Sequence, residues 1–212
     1  GNENKIKDLV EKFDIPLDLK DVNIVYPSKS PYFEDYVNTL YELRKHKNVN
    51  LAMARDAMAD VSYFGTIMIY KGHADGMVSG AVHTTQHTLL PALQFIKTKP
   101  GVNIVSSIFF MCLEDRISVF GDCAINPNPN AAELAEIAVS STQTAKDFGI
   151  EPKVAMLSYS SGASGKGADV EKVREATEIV KMQAPDIKIE GPIQYDAAVD
   201  MRIGRSKMPD SE

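Results

Sequence analysis

The stretch Val154-Ala-Met-Leu-Ser-Tyr-Ser-Ser-Gly-Ala-Ser-Gly-Lys-Gly167, running directly into Ala168-Asp-Val-Glu-Lys-Val-Arg-Glu-Ala176, decides how this chain is read. It has the pattern of a buried strand, a loop of Ser, Gly and one Lys, and the start of a helix. Backbone N–H groups at such a helix start, together with the helix dipole, favour an anion. Small residues let a phosphate approach the backbone, and Lys166 adds a mobile point charge. An ordinary strand-to-helix turn has the same pattern, so the stretch alone leaves both readings open. It nearly matches the nucleotide-binding pattern G-x-x-x-x-G-K-[ST], but Ser160 stands at the first Gly and Gly167 at the hydroxyl that would hold Mg²⁺. That departure disfavours a nucleotide hydrolase and favours a loop for the phosphate of a cofactor or an acyl phosphate.

Outward from this stretch, helical and β-like patterns alternate. Helical spacing predicts helices over 5–13, 32–47, 51–59 and 86–97 (with Pro91 inside and Thr84 or Thr85 as cap). It also predicts a helix after Asn130 burying Leu134, Ile137, Ala138 and Ala145, one from Ala168 burying Val170, Val173, Thr177 and Val180, and the beginning of a last helix over 195–199. Asn130 followed by Glu133 resembles a capping box, and Gly149 supplies the stop. Apolar runs predict strands over 22–26, 63–70, 77–82, 102–111, 117–123, 153–159 and 187–189. The expected class is therefore α/β, with mostly parallel sheets. Lys97-Thr-Lys-Pro-Gly101 breaks the pattern and divides the chain into lobes 1–99 and 100–212. The absence of an initiating Met before Gly1, and an end in the loop Met208-Pro-Asp-Ser-Glu212, give the expectation of a piece of something longer.

The bulk properties exclude several classes. The 212 residues are enough for a sizeable core, and a net charge of −6 argues against a general nucleic-acid surface. No apolar run is long enough to span a bilayer. The two cysteines, Cys112 and Cys123, form no disulfide framework; they are read as core thiols in a reducing, cytoplasmic compartment.

Two further groups of residues carry possible chemistry. In Ala74-Asp-Gly-Met-Val-Ser-Gly-Ala-Val-His-Thr-Thr85, Gly76 and Gly80 interrupt an apolar run, and Ser79, His83, Thr84 and Thr85 gather polar groups at its end. His83 and His87, four apart, share a helix face in metal-ligand spacing. No third ligand stands at a suitable spacing, so no metal is expected. In Gly121-Asp-Cys-Ala-Ile-Asn-Pro-Asn-Pro-Asn130, an Asp and a Cys precede a Pro-stiffened Asn loop that suits a polar cleft. Arg44 falls on the apolar side of its helix, where it either snorkels or aims its guanidinium at an anion.

Tyr63-Phe-Gly-Thr66, the 74–85 and 121–129 segments, Val154-Ala-Met-Leu-Ser-Tyr-Ser160 and Gly191-Pro-Ile-Gln-Tyr-Asp-Ala-Ala198 together strongly resemble the phosphate acetyltransferases. The resemblance runs from about Lys5 to the last residue. It implies two α/β lobes of the isocitrate/isopropylmalate dehydrogenase-like kind with a cleft between them. It also implies a homodimer and transfer of an acetyl group between coenzyme A and inorganic phosphate, without metal or other cofactor. Related readings are a phosphate butyryltransferase, or a non-catalytic acetyl-CoA-sensing domain like that fused to malic enzymes. The Ser, Arg and Asp to which the family's coenzyme A binding, phosphate binding and general-base work are assigned lie beyond Glu212, so no catalytic residue is named within the chain. Arg44 matches the family's phosphate-binding helix Arg, and Ser161, Ser164 and Lys166 are assigned to the phosphate side. Thr84 and Thr85 are assigned to orienting the acyl group. The family commonly places an Arg before the Pro of this helix, where this chain has Leu90.

Overall fold

The computed structural model describes residues 1–209; residues 210–212, the end of the expected terminal loop, lie outside the described residues. The class is α/β, and the chain divides into two compact units, Gly1–Lys97 and Thr98 onward.

The first unit is helical throughout its regular structure. Its α-helices are α1 (Glu3–Lys12), α2 (Phe33–Arg44), α3 (Leu51–Met58), α4 (Val61–Tyr70) and α5 (Thr85–Phe95). The core comes from single faces of four of them: Tyr36, Val37 and Leu40 from α2, Ala54 and Met58 from α3, Phe64 and Ile67 from α4, and Phe95 from α5. These spacings of three and four residues are the apolar stripe of an amphipathic helix. The strand expected over 63–70 is instead the body of α4. Asp60 caps it, its side chain accepting from Ser62 N at 2.9 Å and Tyr63 N at 3.2 Å. A short apolar run does not distinguish a buried strand from a buried helix, and the cap at its start decides for the helix. The runs 22–26 and 77–82 are not strands either. The second carries Val78 and Val82 exposed on an irregular segment, and Met77 packs so near Gly65 that a Cβ there would lie 2.7 Å from its sulfur.

The second unit contains β1 (Ile108–Cys112), β2 (Ile117–Gly121), α6 (Ala131–Asp147), β3 (Val154–Leu157), α7 (Ala168–Gln183), β4 (Ile189–Ile193), α8 (Tyr195–Val199) and α9 (Met201–Lys207). β1 and β2 pair antiparallel, whereas β3 and β4 pair parallel. The expectation of mostly parallel strands fails at the first pair because only a tight turn joins it, closed by Leu113 N to Arg116 O at 2.9 Å. A connection that short permits only an antiparallel return. β3 and β4 are joined through α7, the crossover a parallel pair needs. β4 starts later than expected and includes Pro192; the register breaks between Ala155 and Leu157, opposite the residue that has no N–H to donate. The core joins Ala131, Ala135 and Ala138 of α6 to Met156 of β3 and Val173, Ala176 and Val180 of α7. Cys112 is exposed, because a two-stranded hairpin leaves its position uncovered, and Cys123 is half-buried.

The capping box is present: Asn130 Oδ1 accepts from Glu133 N at 2.9 Å, and Glu133 Oε2 accepts from Asn130 N at 2.8 Å. Gly149 ends α6 with φ 77°, a backbone conformation that favours glycine. Replacing Asn130 by Ala is expected to lower the unfolding free energy by about 1 kcal/mol. A urea titration reads this as a lower midpoint with an unchanged slope.

Candidate functional site

The loop 160–167 is built from the ends of β3 and β4. Beyond the strands, Ser158 N donates to Ile193 O at 2.9 Å and Gly162 N to Pro192 O at 2.8 Å, so the pairing continues into the loop. Ser161, which is buried, adds a latch: Gln194 N donates to its Oγ at 3.0 Å. Ser164 Oγ donates to Ser161 O at 2.7 Å and lies 2.8 Å from Ser160 Oγ. A Cβ on Gly165 would sit 2.3 Å from Ser160 Oγ, so only glycine fits there. Gly167 occupies the cap position of α7 with φ 135° and supplies no side chain. Among the described residues no side chain caps this helix, and none bonds its first-turn amides at the positive end of the dipole. Lys166 is exposed at the loop's end, with Tyr159 Oη donating to its carbonyl at 3.2 Å.

The Ser161 and Ser164 hydroxyls thus hold the loop in shape, the amides of Gly162 and Ser164 are used internally, and Lys166 is exposed at the end of the loop. Sequence reasoning missed Arg174 and Gln194. Arg174 Nη2 donates to Gly162 O at 3.0 Å and its Nη1 lies 2.5 Å from Glu171, so it braces the loop from α7. The acidic residues Asp169 and Glu171 share this first turn, with Lys172 as a counter-charge. Lys172 Nζ also donates to Asn128 Oδ1 at 3.0 Å, which brings the Pro-stiffened Asn loop beside α7.

Asp122, placed in that polar segment by sequence, is the organising group of the turn. Its carboxylate accepts from Ser107 Oγ, from Ser107 N at 3.1 Å, from Ala124 N at 3.2 Å and from Ile125 N at 3.3 Å. It also accepts from Asn126 N and Asn126 Nδ2, both at 2.6 Å. Burial alone would raise its carboxyl, but these hydrogen bonds from Ser107, Ala124 and Asn126 outweigh it and hold the group well below the usual carboxylate range. Cys123 Sγ contacts Ser107 Oγ at 3.3 Å within the same turn.

Arg44, Thr84 and Thr85 belong to the first unit, and Ser161, Ser164 and Lys166 to the second. Arg44 ends α2, and its Nε is a buried donor with no hydrogen-bond partner among the described residues. Thr84 caps α5, accepting from His87 N at 3.2 Å, and Thr85 is the first residue of that helix; both are exposed. Leu90 is exposed and Pro91 buried. The sequence offered no third partner for His83 and His87. The fold brings Asp60 to them, with His87 Nε2 3.0 Å from Asp60 Oδ2.

The family model described as phosphate acetyl/butaryl transferase matches residues 1–212. A phosphate acetyltransferase of Synechocystis sp. is 63% identical over 211 residues, covering 100% of this chain and 30% of that protein. One from Corynebacterium glutamicum is 49% identical over 212 residues, covering 100% of this chain and 64% of that protein. Among solved structures, a phosphotransacetylase from Streptococcus pyogenes superposes with a TM-score of 0.86 at 45% identity, covering 100% of this chain and 64% of that one. The chain therefore spans between about a third and two thirds of the length of these relatives. No helix among the described residues is long and apolar enough to cross a membrane.

The Asp122 turn generates a pH prediction. A carboxyl held low in the fold stabilises it above the unfolded value near 3.9, and that contribution is lost as the pH falls through the lower folded value. Asp122→Ala is expected to lose about 2–3 kcal/mol at pH 7. In urea titrations from pH 6 to below pH 3, the gap between the parent and Asp122→Asn is expected to narrow toward the acid end.

Proposed function

Because the chain belongs to the phosphate acetyl/butaryl transferase family, we propose that it is part of an enzyme that moves an acetyl group between coenzyme A and inorganic phosphate. The observation that carries this reading is the uncapped start of α7 beneath the Ser/Gly loop, an anion seat of main-chain amides with Lys166 beside it. The buried Nε of Arg44, without a partner among the described residues, supports it, since a guanidinium nitrogen out of water needs an acceptor, and a phosphoryl oxygen supplies one. The relatives carry the name phosphate acetyltransferase, which favours acetyl over butyryl and an enzyme over a sensing module.

The reaction is the transfer of an acetyl group between a phosphate oxygen and a thiol in a ternary complex. The coenzyme A sulfur, as thiolate, attacks the carbonyl carbon of acetyl phosphate. The bond from that carbon to the bridging oxygen then breaks, the oxygen leaving with the phosphate, to give acetyl-CoA and inorganic phosphate; the reverse runs through the same tetrahedral species. A thiol of ordinary pKa near 8.5 costs only about 2 kcal/mol to ionise at pH 7, so a base supplies a small part of the acceleration. Holding both substrates in line supplies roughly 7–11 kcal/mol, and an oxyanion donor about 3–4. In this scheme Lys166 and the α7 amides, shaped by Ser161 and Ser164, hold phosphoryl oxygens. Arg44 pairs with the phosphate charge, and Thr84 and Thr85 orient the acyl group. The chemistry asks for no metal or other cofactor. The family likeness supports a homodimer. Substrates drawn from intracellular metabolism and two unpaired cysteines support a cytoplasmic place.

In the protein that carries this chain, Arg44→Ala and Lys166→Ala are each expected to raise the KM for phosphate about tenfold or more, with the KM for acetyl-CoA little changed. An unchanged phosphate KM in both variants contradicts the assignment. Light scattering of the same samples is expected to give twice the subunit mass.

A further inference from the structure

We propose that Asp60, His83 and His87 form a binding site for a divalent transition metal of the zinc class. The donor atoms of the three side chains all lie within 4.8 Å of one another. Two are already at contact distance, His87 Nε2 and Asp60 Oδ2 at 3.0 Å, and the rings of His83 and His87 stack with centroids 4.7 Å apart at 12°. Two imidazoles and one carboxylate are a donor set that suits Zn²⁺, with an open position left for water.

The local structure holds two of the three ligands before any metal arrives. Asp60 uses Oδ1 to cap α4, which fixes its carboxylate and leaves Oδ2 directed at His87. His87 sits in the first turn of α5, pinned by the cap from Thr84 to its own N–H. His83 lies one residue before that cap, at the end of the irregular, largely exposed segment from Met77. Ligands about 2.1 Å from a zinc ion are roughly 3–3.5 Å from each other. The Asp60–His87 pair already meets that spacing, so closure asks only the third member, on irregular backbone, to move inward. The three residues are separated by 23 and 4 positions, and only the packing of α5 beside α4 unites them. The site is not part of the transfer chemistry above. It brackets Thr84 and Thr85, however, so an ion there would fix the segment that carries them.

The test titrates the EDTA-treated, purified chain with Zn²⁺ by calorimetry and with Co²⁺ by visible absorption. The expected result is one saturable site at micromolar metal, weakened roughly tenfold or more by His83→Ala, by His87→Ala and by Asp60→Asn. Asp60→Asn retains an oxygen for the α4 cap, so its loss of affinity is not a folding defect. A Cys112→Ser, Cys123→Ser variant is expected to bind as the parent does. Zn²⁺ is also expected to slow hydrogen exchange in residues 82–88. Absence of saturable binding at millimolar Zn²⁺ overturns the proposal. So does binding that survives both histidine replacements or disappears with the cysteines.

Discussion

The parallel pairing of β3 with β4 does not stop where the strands end, and the second unit is arranged around that continuation. Bonds from Ser158 N to Ile193 O, Gly162 N to Pro192 O and Gln194 N to Ser161 Oγ, all between 2.8 and 3.0 Å, carry the ladder into the Ser/Gly loop. The seam closes this tightly because Gly191 faces Met156, where a Cβ would lie 2.5 Å from that of Met156 and 3.0 Å from its carbonyl oxygen. With Gly162 held both by Pro192 O at the strand end and by Arg174 of α7, the loop is anchored to the seam and to the helix it leads into.

Among the described residues, most other helix starts are closed by side chains, although α2 and α8, like α7, have no side-chain cap. Asn130 caps α6, Asp60 caps α4 and Thr84 caps α5. Each satisfies amides that would otherwise draw an anion, and each leaves its helix start a structural rather than a ligand-seeking feature. At α7 a glycine holds that position, so the amides there seek an external acceptor. Arg44, with its buried Nε, makes the same demand in the first unit. A buried guanidinium nitrogen with no acceptor among the described residues is a natural fit to a ligand rich in charged oxygen.

Much of this was legible from residues alone, and the failures have physical causes. The buried faces of α2, α6 and α7 follow their spacing because each helix presents one stripe to one core. Asn130, Glu133 and Gly149 were readable because caps are local. The run 63–70 was misread because its apolar residues are nearly continuous, and Asp60, the residue that settles the matter, lies just outside it. The antiparallel hairpin follows from the short turn at Leu113–Arg116, a connection-length signal that the apolar runs overshadowed. Asp60 as a partner of two histidines was out of reach of sequence spacing, since only the packing of α4 against α5 brings it there. The latch from Ser161 to Gln194 spans 33 positions and leaves no local pattern.

The central claim is that main-chain amides at the start of α7, presented by the β3–β4 seam, grip a phosphoryl group. A titration of the ¹⁵N-labelled chain with inorganic phosphate, followed by amide chemical shifts, addresses it without relying on turnover. The account predicts saturable shifts that are largest at residues 165–170 and diminished by Lys166→Ala. Saturable shifts centred elsewhere, with those amides unmoved, would contradict it.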